Sequence, residues 1–235
     1  MPLIEMRDVV KGGAGPALRI ARLDVEPGDR LAILGLDATG GELFLNLMTG
    51  AAVPDEGTVH VAGHDTRAIA TDTEWLRSLD RFGIVTDRAV LVGGLAVAAN
   101  LALPLTLSVE PMADAVRQRV TELAAEAGLP AARLDAPASS LDPVERARVH
   151  LARALAVDPD LLLLEHPTAQ FGAAAASAAF GETLRRAAEA RRVGYVAVTG
   201  DRVFARAAGA VRMKIHAASG RLTRAGGWRS LFTAW

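Results

Sequence analysis

The segment after residue 34 combines residue types that could bind a phosphate group. Residues 30–34 form a short, mostly apolar run that is typical of a buried strand, and a glycine-flanked loop and a helical pattern follow it. A loop in this position holds phosphate by directing backbone N–H groups and a helix N-terminus at the phosphate oxygens. The loop consists of Gly35, Leu36, Asp37, Ala38, Thr39, Gly40, Gly41 and Glu42.

Two positions of this loop lack the side chains that phosphate chemistry uses. A lysine normally follows the second glycine to reach the terminal phosphates, and a Ser or Thr then holds a magnesium ion, but these positions are Gly41 and Glu42. Asp37 adds a carboxylate, which opposes a bound phosphate by on the order of 1 kcal/mol. Two interpretations stay open: a weakened phosphate loop, or a strand–helix turn whose glycines serve only tight packing.

The composition narrows the chemistry further. The chain has 235 residues, no cysteine and a net charge of −1, and its 26 basic residues include only two lysines, Lys11 and Lys214. The lack of cysteine excludes thiolate nucleophiles, disulfides and cysteine-based zinc sites. Because general nucleic-acid binding depends on a basic surface, we expect no nucleic-acid partner.

Alternating strand and helix patterns predict the layers that must position the loop. Together they favour a layered α/β fold with a mostly parallel core sheet. The predicted strands are 3–9, 18–25, 30–34, 58–62, 82–85, 161–164, 195–198 and 211–216, the last in a closing hairpin. The predicted helices are 43–48, 111–127, 143–157 and 173–192.

Two apolar segments need separate interpretation. Residues 89–109 carry no charge and are long enough to span a bilayer, but Gly93, Gly94 and Pro104 interrupt them. We expect a turn followed by a buried helix that is kinked at Pro104. The tail, 226–235, contains two tryptophans and a phenylalanine, and we expect it to cover the core rather than to form a docking patch.

Several framework stretches resemble the ATPase subunits of ATP-binding cassette (ABC) transporters. The resemblance covers nearly the whole chain in order, and it rests on residues 45–50, 54–59, 100–105, 149–155 and 159–169. It implies a P-loop NTPase-like three-layer core, an N-terminal antiparallel β portion and a helical subdomain. It also implies a single domain, 1–235, with its core at 1–87 and 149–235 and the helical subdomain at about 88–148.

The resemblance implies sites for ATP and Mg²⁺, and this sequence departs from the family at those positions. The glutamine that senses magnesium falls at Asp87, the metal-supporting aspartate at Glu165 and the general-base glutamate at His166. The switch histidine falls at Gly200. Glu165 and Asp87 are therefore the candidate metal ligands, and His166 is the candidate base.

Three further motifs depart from the family pattern. No aromatic residue for stacking on adenine is present near 12–13, and the aspartate of the loop after the second nucleotide motif is Gly172. The family's signature motif is a Ser-Gly-Gly turn at a helix start that binds a partner's nucleotide. Its place is taken by Leu141, Asp142, Pro143, Val144 and Glu145.

An intact framework with altered motifs leads to our first functional hypothesis. The resemblance implies a nucleotide-binding subunit of an ABC transporter on the cytoplasmic face of the inner membrane. It would contact a permease subunit through residues 87–104 and form a homodimer or a heterodimer with an intact ATPase subunit. Because the changes affect every nucleotide-contacting motif, we expect a catalytically degenerate pseudo-ATPase. Subunits for lipid and lipoprotein transport are the most similar in length and in region 82–110.

Two alternatives stay open. The chain could be an active ATPase that uses Glu165 as metal ligand and His166 as base, with Lys11 or an arginine in place of the loop lysine. It could also be a soluble scaffold with the same fold, outside any transporter.

Overall fold

The computed structural model describes residues 1–12 and 16–225. The strands are β1 (Ile4–Lys11), β2 (Leu18–Val25), β3 (Arg30–Leu34), β4 (Glu56–Val61), β5 (His64–Asp65), β6 (Phe82–Val85), β7 (Leu161–Glu165), β8 (Gly194–Val198), β9 (Val211–Ile215) and β10 (Leu222–Arg224). The helices are α1 (Ala38–Thr49), α2 (Asp72–Leu79), α3 (Val97–Ala102), α4 (Asp114–Glu126), α5 (Pro143–Ala156), α6 (Ala174–Arg191) and α7 (Arg202–Ala207).

The larger of two sheets is parallel over most of its width. Its strand order is β10-β9-β3-β8-β7-β6, and only β10 runs antiparallel to its neighbour. The smaller sheet, β2-β1-β4-β5, is antiparallel throughout. Parallel strands require long crossover connections, which the helices supply. This topology confirms the predicted layered α/β fold.

Apolar cores cover both faces of the parallel sheet. On β7, Leu161 and Leu163 pack into the core that contains β1, β2, β4 and α1, whereas Leu162 and Leu164 pack into the core that contains α3–α6. With both faces covered, the exposed place for chemistry in such a sheet is the carboxyl end of its strands. There β3 leads into loop 35–42, β7 into His166 and β8 into Gly200, and the three strands are neighbours.

The sequence patterns did not predict two of the helices, α2 and α7. Helix α2 has only eight residues and none of them is fully buried, and the Thr71 side chain caps it. Helix α7 has only six residues and begins at the Asp201 cap. Two predicted boundaries were also wrong: α1 begins five residues earlier than expected, at Ala38, and α4 begins at Asp114.

Residues 89–109 contain a short buried helix. All six residues of α3 are buried, as expected, but the helix ends before Pro104 and is not kinked by it. A proline cannot donate the backbone hydrogen bond that would continue the helix. Among the described residues, no helix is both long and apolar enough to cross a bilayer. The prediction for the tail, 226–235, lies outside the described residues.

A glycine lets β6 approach α5 closely. An ideal Cβ built on Gly83 would lie 2.4 Å from the carbonyl oxygen of Ala154. Real Cβ atoms do not approach backbone oxygens so closely, so strand and helix are in direct backbone contact here. Because β6 leads into residues 86–88, this contact helps to position that segment.

We expect Gly83→Ala to lower the free energy of unfolding by about 1–3 kcal/mol, since the strand would have to move away from α5. Urea unfolding measures this loss. Gly94→Ala is the control, because its added Cβ meets nothing within 4 Å and should change stability by less than about 0.5 kcal/mol. Equal effects of the two variants would contradict the close contact.

Candidate functional site

Loop 35–42 is closed by its own aspartate. Asp37 is the N-cap of α1, and its Oδ1 accepts a hydrogen bond of 2.8 Å from the backbone N–H of Gly40. The N–H of Gly41 donates to the carbonyl oxygen of Asp37, also at 2.8 Å. Ala38 and Thr39 form the first turn of the helix. The N–H of Gly40, which a phosphate loop would direct at its ligand, is therefore already bonded within the chain.

The side chain of His166 fills the space beside Gly41. His166 follows β7 with a left-handed backbone (φ 41°), and its N–H donates to the carbonyl oxygen of Val198 at 2.8 Å. Its Nε2 lies 3.1 Å from the carbonyl oxygen of Asp37. Because that oxygen can only accept, Nε2 carries the proton in this contact. An ideal Cβ on Gly41 would lie 2.9 Å from Nε2, so a longer side chain at position 41 would displace the imidazole.

Arg88 joins a carboxylate in the loop, that of Glu42, to the carboxylate of Glu165 at the end of β7. Glu165 is 7% exposed, and its Oε2 accepts from Arg88 Nη2 at 2.7 Å, from Arg88 Nε at 3.0 Å and from Thr86 Oγ1 at 2.9 Å. The Nη1 of Arg88 donates to Glu42. The guanidinium thus lies between the loop's last residue and the end of β7.

The two candidate metal ligands do not converge. Glu165 is paired with Arg88, and Asp87 instead accepts a 3.1 Å hydrogen bond from the side chain of Gln170. Among residues 1–12 and 16–225 there is no group of three or more His, Cys, Asp or Glu side chains arranged to hold a metal ion. Mg²⁺ is usually held by one or two carboxylates together with phosphate and water oxygens, and here both candidate carboxylates already have partners within the chain.

Gly200, at the position of the switch histidine, has open space around it, and the next residue caps helix α7. A Cβ added to Gly200 would meet nothing within 4 Å. Asp201 caps α7 and accepts a 2.9 Å hydrogen bond from Thr168. Burial acts to raise the pKa of Asp201, but hydrogen bonds from Ser177, from the Phe204 N–H and from Thr168 outweigh it and keep that pKa below its usual range.

The segment that replaces the signature turn is also closed on itself. Asp142 caps α5 by accepting from the N–H of Glu145 at 2.8 Å, and Glu145 accepts from the N–H of Asp142 at 3.1 Å. Arg133 then pairs with Glu145 at 2.8 Å. Leu141 is buried, and residues 143–144 begin the helix. These reciprocal bonds form a capping box, which uses N–H groups that a phosphate would otherwise bind.

A buried histidine lies between α5 and the segment after β6. His150 is 5% exposed and, together with Asp87, Arg146 and His166, lines a small crevice. Burial lowers the pKa of His150 to about 4, and Arg153 and Arg146 act in the same direction while Asp87 opposes them. His150 is therefore neutral at pH 7.

Neither lysine supplies the missing loop cation through a contact with the loop carboxylates. The Nζ of Lys11 lies 2.7 Å from Asp55 Oδ1. That contact keeps the pKa of the Asp55 carboxyl below its usual range, aided by the N–H of Gly12. Lys214 pairs with Leu34 in the parallel register of β9 and β3. The hypothesis that Lys11 replaces the loop lysine thus finds no support in this geometry.

Comparison with known proteins decides the family. The family profile described as "ABC transporter" matches residues 18–169. The chain belongs to the ABC transporter family. Members of this family generally bind ATP with Mg²⁺, which contrasts with the closed loop and paired carboxylates described above.

Named relatives of this ABC protein include transporter ATP-binding proteins. It is 32% identical over 185 residues to the lipoprotein-releasing system ATP-binding protein LolD of Pseudomonas syringae pv. tomato, a match that covers 79% of this chain and 80% of the relative. It is 35% identical over 170 residues to the methionine import ATP-binding protein MetN of Caulobacter vibrioides, covering 71% of this chain and 50% of MetN.

Solved structures show the same fold. The dimeric ATP-binding cassette MJ0796 bound to ADP and Pi superimposes with a TM-score of 0.75 at 22% identity, over 96% of this chain and 100% of that one. CbiO1 from Clostridium perfringens, part of the ABC transporter complex cbiONQ, also gives 0.75, at 17% identity, over 94% of this chain and 87% of that one. At these identities the likeness establishes the fold alone, and it confirms the predicted P-loop NTPase-like core.

Sequence reasoning identified the altered ABC positions but missed their new partners. Arg88, Thr86, Arg133 and His150 were not recognised as part of the site. Arg88 did carry a signal, because it is the only Lys or Arg between residues 82 and 116 and directly follows Asp87. The other three gave no pattern that distinguishes them from surface or core residues.

The contact between His166 and Gly41 predicts an energetic coupling. We expect Gly41→Ala to destabilise the His166→Ala variant less than it destabilises the wild type. The difference in the free energy of unfolding should be about 1 kcal/mol, because the imidazole no longer opposes the new methyl group. A double-mutant cycle of urea unfolding measures this coupling. Additive effects, within about 0.3 kcal/mol, would show that the two residues do not touch.

His150 predicts a pH dependence of stability. Its pKa is lowered on folding, so the unfolded chain takes up a proton below about pH 6.5 while the folded chain does so only near pH 4. The free energy of unfolding should therefore decrease as the pH is lowered through that window, by up to about 1.4 kcal/mol per pH unit.

The comparison of His150→Gln with the wild type isolates this effect. Between pH 7.5 and pH 5.0 the wild type should lose about 2 kcal/mol more unfolding free energy than the variant. His64→Gln, at an exposed position, is the control and should follow the wild type. If His150→Gln followed the wild type too, the neutral buried histidine would be refuted.

Proposed function

We propose that this chain is a catalytically degenerate nucleotide-binding subunit of an ABC transporter, a pseudo-ATPase that couples to a membrane permease. It consists of a single domain, 1–235, with a core at 1–87 and 149–235 and a helical subdomain at about 88–148. It acts on the cytoplasmic face of the inner membrane, as a homodimer or paired with an intact ATPase subunit.

The hydrogen bond from the Gly40 N–H to Asp37 carries this proposal. A nucleotide phosphate would have to displace the Asp37 carboxylate from the loop and then lie beside its charge. N-caps of this kind are worth about 1 kcal/mol, and two negative charges about 4 Å apart repel by about 1–4 kcal/mol between bulk water and a protein surface. No lysine is present in the loop to offset these costs.

The second anion site of the family supports the same conclusion. In a cassette dimer that follows the family resemblance, the signature turn would face the partner's nucleotide. Here Asp142 presents a carboxylate at that turn and Pro143 has no N–H to donate. Both surfaces that would sandwich ATP are thus occupied by the chain's own acidic side chains.

The relatives suggest the cargo. LolD is named for a lipoprotein-releasing system, and 80% of its length matches this chain. We propose lipoprotein or lipid as the cargo class on this basis. The match to MetN, a methionine import protein, spans only half of that protein and supports a transport role without favouring methionine.

Phosphate release in the presence of MgATP tests the pseudo-ATPase. We expect no turnover above buffer for the purified chain, because neither metal ligands nor a loop cation are available to neutralise the transferred phosphoryl group. Turnover that disappears in Glu165→Gln or His166→Ala would contradict the proposal and establish the active-ATPase alternative.

Membrane fractionation tests the transporter role. After co-expression with its permease subunit, the chain should sediment with membranes and co-purify with the permease in detergent. If it remained in the soluble fraction under these conditions, the scaffold alternative would be favoured.

A further inference from the structure

Arg88 connects three parts of the candidate site. Through Nη1 it contacts Glu42 at the start of α1, and through Nε and Nη2 it contacts Glu165 at the end of β7. Its own N–H donates to Thr86 Oγ1 at 3.2 Å, and the same hydroxyl donates to Glu165. The arginine therefore holds residues 86–88 against both neighbouring elements.

The burial of Glu165 makes a nearby cation necessary. A carboxylate with 7% exposure loses most of its hydration and is stable as an anion only when it is paired and hydrogen-bonded. Its Oε2 accepts three hydrogen bonds, and two of them come from Arg88. Glu42 adds a second carboxylate on the other side of the guanidinium. The single positive charge of Arg88 thus lies between two carboxylates and pairs with both of them.

We propose that Arg88 is the resident cation of this site. Its guanidinium occupies the place between Glu42 and Glu165 and holds segment 86–88 in position without metal or nucleotide. This inference extends the proposed pseudo-ATPase function of the same site and rests on that proposal. It also predicts a latent divalent-cation site: two carboxylates and the Thr86 hydroxyl become oxygen ligands once the guanidinium is removed.

Hydrogen bonds also hold the chain that follows Arg88, at Val90 and Val92. The Nη1 of Arg153 donates to the carbonyl oxygen of Val90 at 3.2 Å. The fully buried Asn100 in α3 accepts from the N–H of Val92 at 2.8 Å and donates to its carbonyl oxygen at 3.1 Å. The connection from β6 to α3 is thus fixed at its start, middle and end. Arg88 makes its first attachment independent of any ligand.

Removal of the guanidinium should expose the latent site. In EDTA and without nucleotide, Arg88→Ala should unfold on the order of 5 °C below the wild type, because Glu165 loses its partner. Mn²⁺ at 1 mM should restore at least half of this loss, since a ligand that binds only the folded state stabilises it. Electron paramagnetic resonance should show Mn²⁺ bound to the variant and not to the wild type.

Two further variants separate charge from folding. In Arg88→Ala/Glu165→Gln the buried charge is gone, so the melting temperature should recover without Mn²⁺ and Mn²⁺ should have no effect. Arg81→Ala is the matched control, because Arg81 forms an exposed pair with Asp160. Its melting temperature should change by less than about 2 °C, with no response to Mn²⁺. Should Arg88→Ala not fold, Arg88→Gln, which keeps the size and a donor, takes its place.

Opposite results would overturn the proposal. It fails if the wild type binds Mn²⁺ as tightly as Arg88→Ala, or if Arg88→Ala melts with the wild type and binds no Mn²⁺. All these measurements are made without nucleotide, so they are independent of ATP turnover. Turnover by the wild type would refute the pseudo-ATPase, whereas Mn²⁺ binding by the wild type as tight as that by Arg88→Ala would refute the role of Arg88.

Discussion

The first N–H groups of a helix have no partner within the helix, and the candidate site depends on how two helices satisfy them. At α1 the Gly40 N–H is bonded to Asp37, and at α5 the Glu145 N–H is bonded to Asp142. A phosphate loop leaves such groups free for its ligand, so that the phosphate completes the helix cap. In this chain an aspartate side chain already accepts from one such group at each of the two helices, so the helix dipole faces a negative charge.

The other replacements follow from this constraint. If the loop binds no phosphate, as proposed, a loop lysine would have no anion to bind; Gly41 leaves the space that His166 fills. The buried Glu165 is paired with a cation of the chain itself, Arg88. The Gly40 N–H and the carboxylates of Glu165 and Asp87, which stand where the family resemblance implies nucleotide or Mg²⁺ contacts, thus have partners inside the chain. The alterations are mutually compatible and leave the strand framework unchanged.

The layered fold was predictable from the sequence because the buried strands are short apolar runs between clear helix patterns. Helices α2 and α7 were not, because they have only eight and six residues and α2 has no fully buried residue. The departures from the family motifs at positions 41, 42, 165 and 166 could be identified from the sequence alone. Their compensation could not, since Arg88 lies 46 residues from Glu42 and 77 from Glu165, and only the neighbouring strands of the parallel sheet bring them together.

The backbone amides of the loop allow the most direct test. In a ¹H–¹⁵N correlation spectrum of the uniformly labelled chain, ATP with Mg²⁺ should leave the Gly40 and Gly41 signals unmoved up to millimolar concentration, because Asp37 retains both hydrogen bonds. A saturable downfield shift of these two signals at sub-millimolar ATP would show that a phosphate replaces the carboxylate, and it would contradict a loop that is closed by its own aspartate.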